Sequence, residues 1–404
     1  MGLLDLIKRL FGCGDDRRGV GSEYGPGLRD EIRPPRSKEG PARSERKSAP
    51  APRMRHGRSL HPRLPELPDK EALARALGIT TAELLWLADP YRLAAMRTPH
   101  YRARILKKKN GGQRLVLAPR PKLKAAQRWI LRSILDQLPP PPCAHGFVRG
   151  RSIRSNAEPH VGRDMVIGMD LHDFFHQFTF KQVSGFFHHL GYSRETARTL
   201  SFLTTAPVRQ LLKAACREAR CKPADLWPQR PWMQVSQYHP CLPQGSPTSP
   251  SLANHLSVRL DRRLSALAAR FEATYTRYAD DLTFSGGAGL RKGMRRFIPL
   301  SKRIIRAEGF RLARGKLRVA RKSARQTVTG LVVNEKVNVA APEYRTLRAI
   351  LHNCVRHGPA SQNRDNHEDF RAHLEGRIAF YRWINPARAE ALRRQLDQIP
   401  WSVP

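Results

Sequence analysis

Alternating and continuous runs of apolar residues predict a mixed helix and strand fold behind a polar N-terminal region. Residues 271–285 hold two β-prone runs, which predict a hairpin with a tight turn at Asp280 and Asp281. The apolar run at residues 165–169 predicts a buried strand that ends at Asp170. The sequence pattern therefore places carboxylates at the ends of two strands.

Two further hairpins are predicted on either side of these strands. Residues 101–119 read as two strands around a basic Lys-Asn-Gly-Gly turn. Residues 327–341 read as a hairpin that turns at Asn334-Glu335-Lys336. The molecule is therefore expected to contain antiparallel sheet.

Apolar residues at helical spacing predict the remaining elements. Asp69 is placed to cap a first helix that ends at Gly78, and Thr81 starts a second helix. Further helices are predicted over residues 122–138, 183–190 and 193–235 (with a loop near 222–231), as one long helix after the Gly/Pro-rich loop at 242–251, over 291–308 and over most of the last 60 residues.

Residues 1–65 differ in composition from the rest of the chain. They are rich in Gly, Pro, Ser and Arg and poor in aliphatic side chains, so they cannot bury enough apolar surface to fold alone. We expect them to form a disordered basic N-terminal extension.

The charge balance indicates a polyanionic partner. Lys and Arg number 73 against 34 Asp and Glu, a formal net charge of +39. Residues 1–65 contribute +7, which leaves +32 for residues 66–404, so the excess belongs to the folded part and favours RNA or DNA as the partner. Arg codon usage in a GC-rich genome is an alternative source of the Arg, but it does not explain the imbalance.

Cysteine usage and hydropathy predict a cytoplasmic protein without a membrane partner. The six cysteines show neither C-x₂-C pairs nor Cys/His metal spacing, so we expect them to be reduced. No apolar run approaches the length of a membrane span.

The acidic residues at the strand ends are the strongest chemical signal. An Asp-Asp pair at a turn is often only solvated turn chemistry, but Asp170 brings a third carboxylate to the Asp280-Asp281 hairpin. Carboxylates are hard oxygen ligands suited to Mg²⁺, and two such ions can activate a primer hydroxyl and stabilise a leaving pyrophosphate. The basic hairpin at residues 101–119 could grip a triphosphate, or it could simply be solvated.

Four ordered motifs identify a resemblance. The basic hairpin, a D-x-x-x-F strand, P-Q-G-x-x-x-S and Y-A-D-D follow one another over about residues 100–340, as in reverse transcriptases. More narrowly, N-A-x-x-H at residues 156–160 and V-T-G at residues 328–330 resemble signatures of bacterial retron reverse transcriptases. The resemblance implies an α+β right-hand polymerase with fingers, an antiparallel-sheet palm and a helical thumb. It divides the chain into N-terminal helices (66–100), fingers and palm (101–340) and thumb (341–404).

The resemblance also implies roles for individual residues. Asp170, Asp280 and Asp281 take the catalytic metal-binding places, with the Leu171 carbonyl as an extra ligand. Phe175 would exclude ribonucleotides by closing against the sugar, unless it is a core residue. The dNTP-binding residues implied beside it are Arg114, Lys107, Lys108, Gln244, Gly245 and Lys316. The RNA-binding candidates are Asn156, His160, Val328, Thr329, Gly330, Arg371, Arg377 and Arg382; of these, Asn156 and His160 could instead cap and pack, and the arginines could merely solvate a helix.

The same resemblance implies the partners and the cofactor. We expect two Mg²⁺ ions, with Mn²⁺ as an alternative, dNTPs, a retron noncoding RNA and its cDNA, and a retron effector protein. No RNase H module is visible after the predicted thumb, so a separate host RNase H is expected to remove the template. A group II intron-like enzyme and a catalytically dead RNA-binding scaffold are the alternatives.

Overall fold

The computed structural model describes residues 60–89, 100–107, 113–208, 211, 216, 240–313 and 315–401. Most of the predicted N-terminal extension lies outside these residues, as do Lys108 and the side chain of Lys107. Residues 60–65 of that extension are described, and they pack against the fold. Leu64 is buried, and the Pro65 carbonyl accepts a hydrogen bond from the Tyr192 hydroxyl at 3.2 Å. The last residues of the predicted extension therefore contact the folded part of the chain.

Two helices and a hairpin begin the described fold. Helix α1 covers Lys70–Leu77 and α2 covers Thr81–Leu87. The Asp69 side chain accepts the Ala72 N–H, and Gly78 ends α1 with a φ of 69°, as predicted. Strands β1 (Tyr101–Lys107) and β2 (Gln113–Pro119) form the basic hairpin.

Helices surround the next strand. They are α3 (Pro121–Ser133), α4 (Ile153–Ala157), α5 (Phe180–His189) and α6 (Arg194–Thr204), and β3 covers Met165–Asp170. Short 3₁₀ helices at Leu135–Gln137, Glu158–His160 and Phe174–Gln177 join them. The apolar run of β3 is buried on both faces, because sheet neighbours and helices cover it.

The single long helix predicted after the Gly/Pro-rich loop is in fact two helices. Helix α7 covers Ser249–Leu256 and α8 covers Val258–Arg270. The Ser257 hydroxyl between them donates to the Ala253 carbonyl at 2.7 Å, a local bond of the kind that competes with regular helix. The apolar periodicity continues across the break, which is why the sequence pattern did not reveal it.

A four-stranded antiparallel sheet forms the centre of the molecule. Strands β4 (Ala273–Tyr278), β5 (Asp281–Gly286) and β6 (Arg318–Arg321) join β3 in the order β4-β5-β3-β6. Helix α9 (Ala288–Ala307) follows β5 and packs back on the same sheet. This sheet positions the predicted carboxylates.

The hairpin predicted over residues 327–341 turns earlier than expected. Strands β7 (Thr327–Val328) and β8 (Leu331–Val332) pair around Thr329 and Gly330, and only a single bridge, from Val332 to Asn338, spans the predicted turn. The two turn residues have φ values of 46° and 86°. Because Thr rarely adopts a positive φ, the V-T-G signature did not read as a turn from sequence.

Three helices complete the chain and form a second core. Helices α10 (Ala341–His357), α11 (Phe370–Ile384) and α12 (Pro386–Asp397) pack together, with a short 3₁₀ helix at Pro359–Gln362. Their buried side chains form a cluster that also includes Val166 and Tyr278 of the central sheet. In the part of the chain that the structure describes, no helix has the length and apolar character needed to cross a membrane.

Candidate active site

The end of β3 lies beside the turn of the β4–β5 hairpin. Asp170, the last residue of β3, is paired across the sheet with Asp281, the first residue of β5. Asp280 lies in the turn, and its carbonyl accepts the Leu171 N–H at 2.9 Å. Directly paired residues of antiparallel strands lie about 5 Å apart between Cα atoms, so the three predicted carboxylates share one edge of the sheet.

This cluster of carboxylates carries uncompensated negative charge. Burial, and then the charge of Asp170, raises the pKa of Asp280. Burial, and then the charges of Asp280 and Asp170, raises the pKa of Asp281. The Lys316 ammonium lies 2.9 Å from Oδ1 of Asp170 and is the nearest compensating cation in the described structure. Holding all three carboxylates ionised therefore favours a bound cation.

The donor set fits a divalent metal ion, although the side chains are not arranged around one. Among the described residues, no three His, Cys, Asp or Glu side chains form a ready metal-binding group. The carboxylates of Asp170, Asp280 and Asp281 are nevertheless hard oxygen donors. Burial, and then the neighbouring carboxylates, raises the pKa values of Asp280 and Asp281. A divalent cation would supply the charge that Lys316 alone does not.

The turn that carries Asp280 is backbone-strained and tightly enclosed. Ala279 has a φ of 56°, in the left-handed region that costs a non-glycine residue about 1 kcal/mol or more. The side chain is buried, and a Cβ built on Gly146 would lie 2.7 Å from the Ala279 nitrogen. Glycine at position 146 thus lets its own segment pass directly against the turn.

The fully buried Arg277 links the turn at Ala279 to the helices packed beside it. Nε and Nη2 of Arg277 donate to the two carboxylate oxygens of Asp261 at 2.8 and 2.7 Å. Its Nη1 donates to Oδ1 of Asn254 at 2.9 Å and to the Ala279 carbonyl at 3.3 Å. The Tyr275 hydroxyl also donates to Asp261, at 2.9 Å. This network ties the turn at Ala279 and Asp280 to α7 and α8.

Sequence reasoning did not assign this network. Arg277 stands inside the quoted motif, but its partner Asp261 is 16 positions earlier on a helix. Asp261 lies on the buried side of α8, beside Leu260 and Leu264. An acid at an apolar position of a helix is the signal that could have found it, since a buried carboxylate requires a partner.

The Gln-Gly loop is joined to the fingers hairpin. The Gln244 carbonyl accepts the Leu117 N–H of β2 at 2.7 Å. Gly245 has a φ of 115°, and a Cβ there would lie 2.8 Å from the Leu117 carbonyl oxygen. Arg114 stands at the start of the same strand, β2. The structure thus places three of the predicted dNTP-binding residues on two connected segments.

Phe175 is only partly buried, and the adjacent Phe174 fills the core position instead. The rings of Phe175 and Phe147 are 6.1 Å apart. Phe147 is 40% exposed, has a φ of 62° and directly follows Gly146, which lies against the turn at Ala279. The sequence analysis did not single out Phe147, because one aromatic residue in a Gly/Arg-rich segment carries no pattern.

The N-A-x-x-H signature begins in α4, and Asn156 and His160 are both buried. His160 packs on the β4–β5 pair, with Nδ1 2.6 Å from the Ser285 hydroxyl and Nε2 2.7 Å from the Thr276 hydroxyl. Burial lowers the pKa of His160 to about 3, so the ring is neutral. Asn156 is fully buried, and neither side-chain polar atom has a hydrogen-bond partner. Neither residue offers surface for RNA contact in this structure, so packing is the role it shows.

The V-T-G signature packs against the same segment. Val328 and Thr329 are buried, and the Thr329 hydroxyl donates to the Ile153 carbonyl at 3.1 Å. Of the three signature residues, only Gly330 is exposed. Direct RNA contact through the Val328 or Thr329 side chain is therefore incompatible with their burial, and the two signatures form one structural unit.

The three predicted RNA-binding arginines of α11 differ in exposure. Arg371 and Arg382 are exposed, and Nε of Arg371 lies 3.2 Å from the Glu375 carboxylate. Arg377 is 6% exposed and lies on the buried face of the helix. Only Arg371 and Arg382 therefore retain the surface position that their predicted role needs.

Comparison with known proteins shows the family of this chain. The family model for reverse transcriptase (RNA-dependent DNA polymerase) matches residues 105–337. The Mx65 and Mx162 retron reverse transcriptases of Myxococcus xanthus are 40% and 37% identical, over 82% and 83% of this chain and 72% and 68% of theirs. The chain belongs to the retron reverse transcriptases. The Ec86 retron reverse transcriptase of Escherichia coli is 34% identical over 69% of this chain and 75% of its own length.

Family membership confirms the predicted fold class and enzyme class. This retron reverse transcriptase is an RNA-directed DNA polymerase with a right-hand α+β fold, and its partners include nucleic acid. Strand β6 and helices α7 to α9 complete the palm around the carboxylates, while α10 to α12 follow as the C-terminal helices.

Proposed function

We propose that this enzyme synthesises DNA at Asp170, Asp280 and Asp281, and that it starts the DNA on a 2′-hydroxyl within its own noncoding RNA. The observation that carries the catalytic assignment is the pairing of Asp170 with Asp281 across the sheet, with Asp280 in the adjoining turn. Three carboxylates at one sheet edge, beside a buried supporting network, form a preorganised anionic site.

The three carboxylates, with the Leu171 carbonyl, would hold two Mg²⁺ ions, or Mn²⁺ in their place. These ions supply activation of the primer hydroxyl and charge stabilisation at the transferred phosphorus. Lys316 now compensates Asp170 across 2.9 Å. Once that carboxylate has another cation as partner, the Lys316 ammonium is free to bind phosphate oxygens of the nucleotide.

The incoming dNTP would lie between the catalytic turn and the fingers. Arg114, Lys107 and Lys108 of the basic hairpin would bind its triphosphate, and Gln244 and Gly245 would face the templating base pair. Phe175 would exclude the ribose 2′-hydroxyl, because its ring is partly exposed while Phe174 fills the core. The link between the Gln-Gly loop and β2 supports a shared nucleotide pocket.

Priming from an internal hydroxyl requires a folded RNA to be held in one orientation. The positive charge of residues 66–404 supports such binding, and Arg371 and Arg382 offer exposed contacts on α11. The product would be a branched RNA–DNA, trimmed by a separate host RNase H and acting with an effector protein in antiphage defence. Similarity to named retron enzymes favours this over a group II intron-like function.

Isolation of the nucleic acid made in cells tests the priming proposal. The protein is co-expressed with its neighbouring noncoding RNA, and the product is treated with a debranching enzyme. We expect a DNA whose gel mobility changes on debranching. DNA without a branch, or DNA made equally well on unrelated RNA, would reject the retron priming reaction; absence of any DNA from a primed RNA template would instead support the dead-scaffold alternative.

A further inference from the structure

Helix α9 presents two chemically opposite faces. One face packs on the sheet through Leu290, Phe297 and Ile305, and the Phe297 ring lies 5.0 Å from that of Phe284 in β5. The residues of Ala288–Ala307 include no Asp or Glu. The cations on the other face are Arg291, Lys292, Arg295, Arg296, Lys302, Arg303 and Arg306.

These seven residues, here termed the α9 cationic face, form a continuous stripe. At 100° per residue they fall within an arc of about 140°, and the stripe runs for about 22 Å along the helix. All are exposed except Lys302, which is half-buried. None of them forms an ion pair with another residue in the described part of the chain.

The neighbouring helix α8 shows what ordinary charge compensation looks like in this protein. Its Arg259 and Arg263 lie 3.1 and 2.6 Å from the carboxylate of Glu308, just beyond the end of α9. Like charges three and four positions apart on a helix repel one another. A stripe of uncompensated cations beside a compensated pair indicates an external anionic ligand.

The surroundings of α9 decide which kind of polyanion fits. A membrane surface would require a free apolar face, but the apolar face of α9 is buried on the sheet. A protein partner would favour exposed aromatic or aliphatic anchors, and none of the large exposed apolar residues of the described structure lies on α9. A cationic face without apolar anchors matches the phosphate backbone of nucleic acid.

The location of the face makes it separate from the polymerase site. Because the apolar side of α9 covers the sheet, its cationic side points away from the strands that carry Asp170 and Asp281. A nucleic acid bound there cannot be the segment that is being copied at the carboxylates. The stripe is shorter than one turn of a duplex, which is about 34 Å, and so suits the phosphates that line one side of a helical stem.

We infer that the α9 cationic face binds the phosphate backbone of an RNA stem, outside the polymerase site. This inference rests on the proposed function, since a folded retron nucleic acid is the source of the stem. The contact anchors the bulk of that nucleic acid while another part of it occupies the active site.

Salt-dependent binding of plain duplexes by the full chain tests the inference. The triple variant Arg295→Gln/Arg296→Gln/Arg303→Gln removes three exposed charges from the stripe. The matched control Lys124→Gln/Arg128→Gln/Arg132→Gln removes three exposed charges from α3. A third variant, Arg295→Lys/Arg296→Lys/Arg303→Lys, keeps the charge. Each protein is titrated with a blunt 20-base-pair RNA duplex and a DNA duplex of the same sequence, and its thermal stability is measured.

We expect the glutamine variant of α9 to bind the RNA duplex on the order of tenfold to a hundredfold more weakly, with a salt slope lower by roughly 2 to 3. The lysine variant should bind like the wild type. A loss confined to the DNA duplex would overturn the assignment of the face to an RNA stem. An equal loss in the α3 control, or unchanged binding of both duplexes, overturns the inference. Extension of a primed RNA template by the wild type, measured on the same preparation, tests the proposed function separately.

Discussion

Two hairpins of this molecule turn through a non-glycine residue in the left-handed conformation. The β4–β5 hairpin uses Ala279 and the β7–β8 hairpin uses Thr329, with φ values of 56° and 46°. Arg277 donates to the Ala279 carbonyl, whereas the Thr329 hydroxyl donates to the Ile153 carbonyl. The same left-handed backbone conformation is thus stabilised at Ala279 by the arginine of a buried ion pair, and at Thr329 by the residue's own side chain.

The two turns are stabilised differently because they carry different side chains. The first turn carries carboxylates whose charges repel, so its conformation has to be imposed from outside the turn. The second turn only has to pack against α4, and one neutral hydrogen bond suffices. A strained turn is therefore a site for chemistry only where the surrounding structure over-determines it.

The largest effect on activity should come from removing the carboxylates of the β4–β5 turn. We expect Asp280→Asn/Asp281→Asn to lower dNTP incorporation on a primed RNA template at least about a thousandfold, because several kcal/mol of charge stabilisation are lost. RNA binding should persist. Glu335→Gln, an acid-to-amide change at an exposed site after β8, is the control and should keep its activity. Near-normal extension by the double variant would falsify the catalytic assignment.

The ion pair beneath the first turn should have the next largest effect. Arg277→Met leaves Asp261 buried without its partner, which should lower the free energy of unfolding by about 3–5 kcal/mol. Arg263→Met, which removes a half-exposed partner of Glu308, should cost about 1 kcal/mol or less. Urea unfolding midpoints measure both changes.

A second substitution separates stability from turn support. Arg277→Met/Asp261→Leu removes both charges and should regain part of the lost stability. Its polymerase rate should stay low, because nothing then donates to the Ala279 carbonyl. If the rate returns with the stability, Arg277 acts on folding alone and the contrast between the two turns fails.

The buried His160, which packs on β4 and β5, should make stability depend on pH. Its pKa is about 3 in the folded protein against an ordinary 6.5, so between these values the unfolded chain binds the proton and the native one does not. Stability is therefore lost as pH falls below 6.5, by about 2 kcal/mol at pH 5 from His160. The drop in unfolding free energy from pH 7 to pH 5 should be smaller in His160→Gln; an equal drop would show that the ring does not stay neutral.

The smallest effects should come from relieving the strained turns themselves. Ala279→Gly relieves the left-handed strain but adds unfolded-state entropy, so stability should change by less than about 0.5 kcal/mol. Thr329→Gly also removes the hydroxyl bond to Ile153 and should cost about 1 kcal/mol. In thermal melts, Thr329→Gly should lower the melting temperature more than Ala279→Gly does. The reverse ranking would contradict the supports assigned to the two turns.

The sequence was sufficient for features that depend on local pattern. The apolar run ending at Asp170, the alternating hairpin before Asp281 and the caps at Asp69 and Gly78 all stand where they were predicted. Each depends on residues within a few positions of one another. The resemblance to reverse transcriptases then predicted how these elements are arranged in the fold.

Features that depend on distant partners were not accessible in this way. The pairing of Arg277 with Asp261 joins a strand to a helix. The hydrogen bonds of His160 connect it to Thr276 and Ser285, each more than 100 positions away in the sequence. Burial of a polar signature residue is likewise a property of the assembled fold. This is why His160 read as a candidate for RNA contact until its neighbours were known.

The bond between Leu117 and Gln244 has a mechanical consequence. It joins β2, the strand that contains Arg114, to the Gln-Gly loop, and Gly245 lies directly against the Leu117 carbonyl. A hinge motion of the β1–β2 hairpin must therefore drag Gln244 along, or break this 2.7 Å bond. If these residues have their proposed roles, movement of the hairpin towards the triphosphate and movement of Gln244 at the templating base pair would be mechanically coupled.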